Sequence, residues 1–267
     1  MRLLRSFALA IASLPIAAAA DLRTLPEHPV AGEPFIAMFT DRVIPGGTSS
    51  TSYASLPTVS AGELTMTVDF SKPLPGTFRG ICGAEPCYGP TYETRTVVTI
   101  PEPGSYQGYF VYTGLPYGTY PLGRQRSPDS VIVGAARPSA APLRTTLSGN
   151  YFAEDENGSG LNLLQSASGQ LFVGWFFYQA QRTATFNELA PAWYVSGGGT
   201  WISPTRFTTI LYETRGTAYN KPFVASDLNV GAVGILTLDV IDANTIDMDV
   251  TLVSGVRKQK RLSRLLF

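Results

Sequence analysis

The stretch ILTLDVIDANTIDMDVTL, residues 235–252, decides the fold class of this chain. Apolar residues alternate with polar ones from Leu236 to Val240, the turn sequence DANT follows, and the alternation resumes from Ile246 to Leu252. A period of two places apolar side chains on one face of a strand and polar ones on the other, and Asp and Asn favour the turn between two strands. The stretch therefore predicts a β-hairpin with one buried face.

The rest of the chain shows the same pattern of strands and turns. It contains 26 Gly and 20 Pro, and no long stretch has helical periodicity. The clearest strand of the first half alternates from Leu64 to Phe70 and is predicted to be antiparallel, whereas the polar segment 41–60 is either a long loop or a weak edge strand. Further strands are predicted at 34–40, 92–100, 106–112, 130–133, 148–152, 160–165, 171–178, 192–196, 207–214 and 256–267. The pattern predicts an all-β protein.

Residues 1–20 have the character of a secretory signal peptide. Arg2 and Arg5 give a positively charged start, and Leu3 to Ile16 supply an apolar core. Four alanines follow, Ala17 to Ala20. The run is too short and too rich in Ala for a transmembrane helix. We expect cleavage before Asp21, a periplasmic or secreted location, and no membrane-spanning segment in the mature chain.

A segment rich in Ala and Pro, residues 135–146, divides the remainder of the chain. Such a composition leaves the backbone extended and solvated, as in a linker. We therefore predict one domain at 21–134 and a second at 147–267. The second has about eight strands, enough for an antiparallel barrel-like or sandwich domain.

The first domain resembles the immunoglobulin-like modules found on exported bacterial proteins. The resemblance is carried by PVAGEPF near its start and by LPYGTY before its last strand. It implies a β-sandwich for residues 21–134.

Cys82 and Cys87 enclose only four residues. In an oxidising compartment such a pair more often closes a small disulfide loop than binds a metal ion. A zinc site would need further ligands, and His28 is the only histidine of the chain. We predict a disulfide that pins a local turn.

Charge and motif content argue against several classes of function. The 20 basic and 20 acidic residues give no overall field that would attract nucleic acid. A single histidine, with no nucleophile motif, P-loop or dinucleotide motif, argues against the usual hydrolases and nucleotide enzymes. We predict a protein without catalytic machinery and without a cofactor.

The acidic run at 154–156 (Glu154, Asp155 and Glu156) admits two alternatives to a solvated strand connection. Asp155, Asn157 and Ser159 have the alternating spacing of calcium ligands, although the bidentate Glu of an EF-hand loop is missing. A hydrolase with an acid pair drawn from this run is the other alternative, and it requires the carboxylates to converge in a pocket.

Aromatic residues of the second domain carry the functional prediction. Alternation along one strand places Trp175 and Phe177 on one face and Phe176 and Tyr178 on the other, so one set lines the interior and the other is free to be exposed. We predict an aromatic platform or pocket for a sugar, a peptide or a hydrophobic ligand, with ordinary core packing as the alternative. Its candidate residues are Trp175, Trp193, Trp201, Tyr178 and Tyr194.

The basic sequence RKQKR, residues 257–261, is predicted to belong to a charged edge strand that resists aggregation. The alternative is a contact with an anionic surface, as in a structural component of the cell envelope.

Residues 148–163, SGNYFAEDENGSGLNL, resemble a motif of poorly characterised secreted bacterial proteins, written SGxWWxPxExGxGxNL. Glu156, Gly158, Gly160 and Asn162 occupy its fixed positions, whereas the paired tryptophans and the proline of the motif are absent. LFVGWFFY and AWYVSGGGTW also look like the strand pair of that family. The resemblance implies export and a β-rich architecture, and it implies no established reaction.

The four shared positions are expected to form a structural corner. Gly158 and Gly160 permit a tight turn or a close approach of strands, Asn162 is expected to bond the backbone across it, and Glu156 is expected to accept backbone N–H groups. The chain as a whole is predicted to be an exported, non-enzymatic binding or accessory module whose partner is an unidentified periplasmic or extracellular ligand, glycan or protein.

Overall fold

The computed structural model describes residues 21–42, 52–74, 91–113, 124–137, 140, 145–182 and 187–266. The predicted signal peptide and the Cys82 and Cys87 pair lie outside these residues. Within them the only helical element is a 3-10 turn, Ala225–Asp227, and no helix is long and apolar enough to cross a membrane. The predicted all-β class is confirmed.

The first half of the chain forms two sheets that share one core. A three-stranded sheet has the order β1-β2-β5, and a four-stranded sheet has the order β3-β4-β6-β7. Their bounds are β1 Asp21–Leu25, β2 Pro34–Arg42, β3 Ser52–Ser60, β4 Glu63–Leu74, β5 Thr91–Thr99, β6 Gly104–Thr113 and β7 Arg124–Val133. Phe35 from the first sheet, and Leu64 and Phe110 from the second, are buried in that core. The immunoglobulin-like assignment of this sandwich stays a prediction.

The structure changes one sequence interpretation of the sandwich and decides between two alternatives for another segment. The strand at 64–70 is antiparallel to β3 as predicted but parallel to β6 on its other side. Of the ambiguous segment 41–60, the described residues include the edge strand β3, Ser52–Ser60. Alternation within a strand reports which face is buried, and it says nothing about the direction of the neighbouring strand.

Strand β2 is apolar on both faces because both faces are covered. Phe35 and Phe39 point into the sandwich core, whereas Ile36 is completely buried against Ile210 and Ala232 of the second half of the chain. A strand covered on both faces reads as a continuous apolar run instead of an alternating one. This packing joins the outer face of the three-stranded sheet to the second half.

The second half forms a closed antiparallel barrel of eight strands. The sheet order is β11-β10-β9-β8-β16-β15-β14-β13-β12, and an additional pairing of β11 with β13 closes the ring, with β12 lying beside β13. The bounds are β8 Gly149–Phe152, β9 Gly160–Gln165, β10 Leu171–Arg182, β11 Asn187–Gly197, β12 Thr200–Ser203, β13 Arg206–Arg215, β14 Asn229–Val240, β15 Thr245–Leu252 and β16 Arg257–Arg264. The short strands β1 and β12 have no predicted counterpart.

The hairpin at 235–252 has the predicted face pattern. Leu236 is opposite Val250, and Leu238 is opposite Met248, and all four side chains are buried in the barrel core. The interior of the barrel is filled by apolar side chains at this level, as expected for eight strands.

Two junctions of the barrel are held by few backbone pairs. The β11–β13 junction has a single Cα pair, Val195 with Tyr212, and the buried hydroxyl groups of Ser196 and Thr209 bond to each other across it. The β8–β16 junction has two Cα pairs, and the guanidinium of Arg264 reinforces it by donating to the carbonyl of Ser148. Side-chain hydrogen bonds therefore add to the few backbone pairs at both junctions.

Strand β16 corrects one sequence interpretation. It is not an edge strand, because β15 lies on one side and β8 on the other. Its two outward arginines pair with carboxylates on β15. Arg257 forms two hydrogen bonds with the Asp249 carboxylate, and Arg261 forms two with the Asp247 carboxylate. The positive charges of these arginines are therefore paired with carboxylates of a neighbouring strand, and they do not protect an unpaired edge from aggregation.

Candidate functional site

A cavity of about 540 Å³ opens at one end of the barrel, beside the β8–β16 junction. Its lining residues come from the loop between β8 and β9, the middle of β10, one position of β11, and the end of β15 with the turn that leads into β16. Ligand cavities of small proteins commonly have several hundred cubic ångströms and sit in the mouths of barrels. We call this space the end cavity.

Aromatic rings form one wall of the end cavity. Trp175 and Phe177, successive inward positions of β10, have ring centroids 4.2 Å apart and are stacked. Tyr194 of β11 meets the Phe177 ring edge-on at a centroid distance of 5.0 Å. Val250 and Leu252 of β15 contribute the opposite wall. These contacts hold the rings in fixed orientations, because aromatic pairs prefer such stacked and edge-on geometries.

The rim of the end cavity carries two ion pairs. Lys258 and Lys260 are on the inward face of β16, and they bind the carboxylates of the β8–β9 loop: Lys258 Nζ is 2.6 Å from Glu156 Oε2, and Lys260 Nζ is 2.6 Å from Asp155 Oδ2. Ser159 Oγ also donates to Glu156 Oε2, at 3.1 Å. The loop is thus fastened to β16 above the short β8–β16 junction.

These ion pairs lower the pKa values of both acids. The hydrogen bond from Lys260 lowers the pKa of Asp155, and the hydrogen bond from Lys258 lowers the pKa of Glu156. Asp247 and Asp249 have lowered pKa values for the same reason, since Arg261 and Arg257 bond to them. All four carboxylates that contact β16 are therefore held in the charged form.

Acid is expected to weaken the barrel through these carboxylates. A pKa lowered by folding contributes stability that is present above the unfolded pKa and is lost as the pH falls through the folded pKa. The melting temperature should therefore fall as the pH drops below the ordinary glutamate value of 4.5. The double variant Lys258→Met, Lys260→Met should show a flatter profile in thermal scans between pH 7 and pH 3.

Arg23→Met is the control for that experiment. Arg23 Nη2 lies 4.0 Å from Asp21 Oδ2 at an exposed position of β1, where an ion pair contributes little. Its profile should match that of the unmodified protein. A lysine double variant with an unchanged acid slope would show that the rim ion pairs contribute nothing to stability.

The acidic run does not have the geometry of an acid catalyst. Glu154 is exposed, and Asp155 and Glu156 are each paired with a lysine. A catalytic acid needs a raised pKa, whereas both pKa values here are lowered. His28, the only histidine of the chain, is exposed between β1 and β2 of the sandwich, on another part of the molecule.

The residues considered for calcium are engaged otherwise. The Asp155 carboxylate accepts a hydrogen bond from an ammonium group, and Ser159 donates to Glu156. Within the described ranges, no group of three His, Cys, Asp or Glu side chains is placed to hold a metal ion.

The two motif glycines are positions where the backbone has no room for a side chain. Gly158 has φ +83°, a left-handed conformation, and the ring of Tyr178 lies over it. A Cβ atom built on Gly160 would lie 2.3 Å from the carbonyl oxygen of Tyr151 and 3.1 Å from Cζ of Phe176. The tight turn and the close strand approach expected for them are both present.

The other two motif residues bond differently from the sequence interpretation. Glu156 accepts from the side chains of Lys258 and Ser159 instead of from backbone N–H groups. Asn162 Nδ2 donates to the side-chain oxygen of Asn150 at 2.8 Å, and not to the backbone. The corner is therefore held by side chains, which bring three strands and one loop together.

The structure separates the five predicted aromatic residues into three places. Trp175 and Tyr194 line the end cavity, and Tyr178 is at its rim. Trp193 is 64% exposed on the outer face of the barrel. Trp201 is 3% exposed near the opposite end, where its Nε1 donates to the carbonyl of Gly169 at 2.8 Å and its ring packs on Phe207. The three tryptophans do not meet in one concavity.

Several cavity residues had no signal in the sequence that marked them. Val250, Leu252 and Lys258 come from the last hairpin, far along the chain from the aromatic strands. In the structure Lys258 and Lys260 share the inward parity of the buried Leu262. What alternation could not show is that a loop from β8 supplies the opposite charges.

Fold and site together define a closed, eight-stranded antiparallel barrel with an aromatic-walled cavity at one end. Searches of family models, of curated proteins and of solved structures found no match for this chain. The resemblance of residues 148–163 to the secreted bacterial motif therefore stays a prediction, and the site is interpreted from its own geometry.

Proposed function

We propose that this protein is an exported, non-enzymatic binding module whose barrel holds a small, mainly apolar ligand in the end cavity. The observation that carries the proposal is the cavity itself, about 540 Å³ of space walled by Trp175, Phe177, Tyr194 and Leu252. A concave, mostly apolar site with a few polar groups at one side is the usual form of a small-molecule site. Export is supported by the signal-peptide character of residues 1–20.

The polar groups of the site are placed to orient a bound ligand and not to catalyse a reaction. Glu156, Ser159 and Lys258 all lie at the rim, and they already satisfy one another by hydrogen bonds. The interior wall offers rings and aliphatic groups. A ligand with an apolar body and a polar end directed at the rim fits this distribution, because buried polar atoms of a ligand need partners.

The fluorescence of Trp175 is expected to change when a ligand occupies the end cavity. Titration of the whole mature protein with 8-anilinonaphthalene-1-sulfonate should give saturable quenching of tryptophan emission, and the signal should persist in Trp193→Phe, whose side chain lies outside the cavity. Leu252→Trp places an indole in the cavity and should weaken binding by about tenfold or more.

Ile132→Trp is the matched control for this experiment, because Ile132 is an exposed residue of the sandwich and does not line the cavity. It should bind the probe as the unmodified protein does. Equal affinity in Leu252→Trp and Ile132→Trp, or no saturable quenching at all, would contradict the proposal.

A further inference from the structure

On the outer face of strands β8–β11, a row of small or polar residues lies between exposed apolar side chains, and none of these residues lines the end cavity. Three positions that are adjacent across the strands form its floor: Asn150 pairs with Asn162, and Asn162 pairs with Gly174. We call this feature the outer groove. It lies on the solvent side of the same strands whose other side faces the barrel core.

Apolar side chains wall the outer groove on both sides. On one side Leu164 and Phe172 are paired across β9 and β10, and both are exposed. On the other side Phe176 is paired with Trp193 across β10 and β11, and both are exposed as well. Exposed apolar groups that lie together, rather than singly, mark an interaction surface.

The floor is polar, and it is open. Asn162 Nδ2 donates to Asn150 Oδ1 at 2.8 Å, so the two amides form a short ladder between the apolar walls. Gly174 has no side chain, and a Cβ atom built there would meet only Asn162 Cβ at 3.9 Å and Phe172 Cε1 at 4.0 Å. In this bond Asn162 uses one N–H donor and Asn150 uses its carbonyl oxygen as acceptor, so both amides keep further donors and acceptors for a ligand.

Among the described outward positions around the floor, there is no Asp, Glu, Lys, Arg or His side chain. These positions are Asn150, Phe152, Gly160, Asn162, Leu164, Phe172, Gly174, Phe176, Tyr178, Pro191, Trp193, Val195 and Gly197. A polyanion or an acidic lipid surface would need basic residues here, and protein interfaces use arginine at their centres. The surface is complementary to a neutral partner.

We propose that the outer groove binds a neutral glycan chain. A sugar ring presents apolar C–H groups on its faces and hydroxyl groups around its edge. The aromatic walls of Phe172, Phe176 and Trp193 match the faces, and the amide floor of Asn150 and Asn162 matches the hydroxyls. The amides of β8 and β9 beside the rings of β10 and β11 are the feature that selects this partner class over an apolar one.

Binding to neutral hexasaccharides tests this proposal. The probes are the β-1,4 and α-1,4 hexamers of glucose and the β-1,4 hexamer of N-acetylglucosamine, measured by calorimetry with the mature protein. At least one should bind, and Trp193→Ala should weaken that binding by about tenfold or more. Gly174→Thr should weaken it similarly by filling the floor, and it should fold, because the position has open space and suits a β-branched residue.

Leu252→Trp is the control that keeps the two sites apart. It alters the end cavity and leaves the outer groove intact, so it should bind the hexasaccharide as the unmodified protein does. Failure of all three probes to bind would overturn the proposal, and so would binding that neither Trp193→Ala nor Gly174→Thr weakens. Concentration-dependent dimerisation that Trp193→Ala abolishes, without glycan binding, would assign the groove to a second copy of this chain and would also overturn it.

Discussion

Replacement of Trp201 by alanine is expected to lower the free energy of unfolding by about 3–5 kcal/mol. The indole fills the end of the barrel opposite the cavity, where it packs on Phe207, and its Nε1 donates to the carbonyl of Gly169. The variant leaves a void and removes the partner of that carbonyl, and both effects are destabilising. Urea unfolding followed by far-ultraviolet circular dichroism measures the change.

Trp193→Ala is the matched comparison, since it removes the same side chain from an exposed position. Its free energy of unfolding should stay within about 0.5 kcal/mol of the unmodified value. Similar losses in the two variants would mean that Trp201 is not part of the packed interior described above.

Gly160→Ala is expected to destabilise the barrel by about 2–4 kcal/mol. The new Cβ atom would lie 2.3 Å from the carbonyl oxygen of Tyr151, so either β8 or β9 has to move. Strand β8 is only four residues long and supplies the β8–β16 junction, which has two Cα pairs. A shift of β8 therefore disturbs the closure of the ring as well as the local contact.

Gly231→Ala provides the control for Gly160→Ala. Gly231 lies in β14, and a Cβ atom built there meets nothing within 4 Å. Alanine in place of an unstrained strand glycine reduces the entropy of the unfolded chain, so this variant should be neutral or slightly more stable. Melting temperatures of the two variants give the comparison, and equal values would show that the close approach at Gly160 is relieved without cost.

Local patterns predicted most of the strands, because burial on one face leaves a period of two in the sequence. The segment 160–165 was predicted with the bounds of β9, and the hairpin at 235–252 has its predicted buried face. Strand β1 and strand β12 were not predicted, and neither Asp21–Leu25 nor Thr200–Ser203 alternates regularly between apolar and polar residues. The β10 alternation predicted that Trp175 and Phe176 face opposite sides, and the structure shows that Trp175 is the buried one and Phe176 the exposed one.

The location of the site could be predicted only in part. The sequence indicated an aromatic-rich second domain, and three of the five chosen residues, Trp175, Tyr178 and Tyr194, line the end cavity or its rim. It could not show that Trp201 and Trp175 lie toward opposite ends of the barrel, because the strand register and the order of strands around the ring set those positions. Nor could it show that β16 is flanked on both sides, since its partner β8 is remote in the sequence.

The ion pairs of β16 depend on the same remote contact. The sequence RKQKR was predicted to belong to a charged edge strand, because its partners lie in two other segments and the sequence does not reveal them. Asp247 and Asp249 are across the adjacent strand of the hairpin, whereas Asp155 and Glu156 precede it by about a hundred residues. Charge pattern along one segment cannot identify a partner on another unless the fold is already known.

The closure of the barrel by β8 and β16 has a consequence for how the chain is made. Ser148 and Arg264, which bond across that junction, are 116 residues apart. During synthesis from the N-terminus, the sandwich strands emerge first and can fold, but β8 waits for β16 before the ring is complete. Until then the nascent barrel half has two unpaired strand edges, so the sandwich can be folded while the barrel is still open.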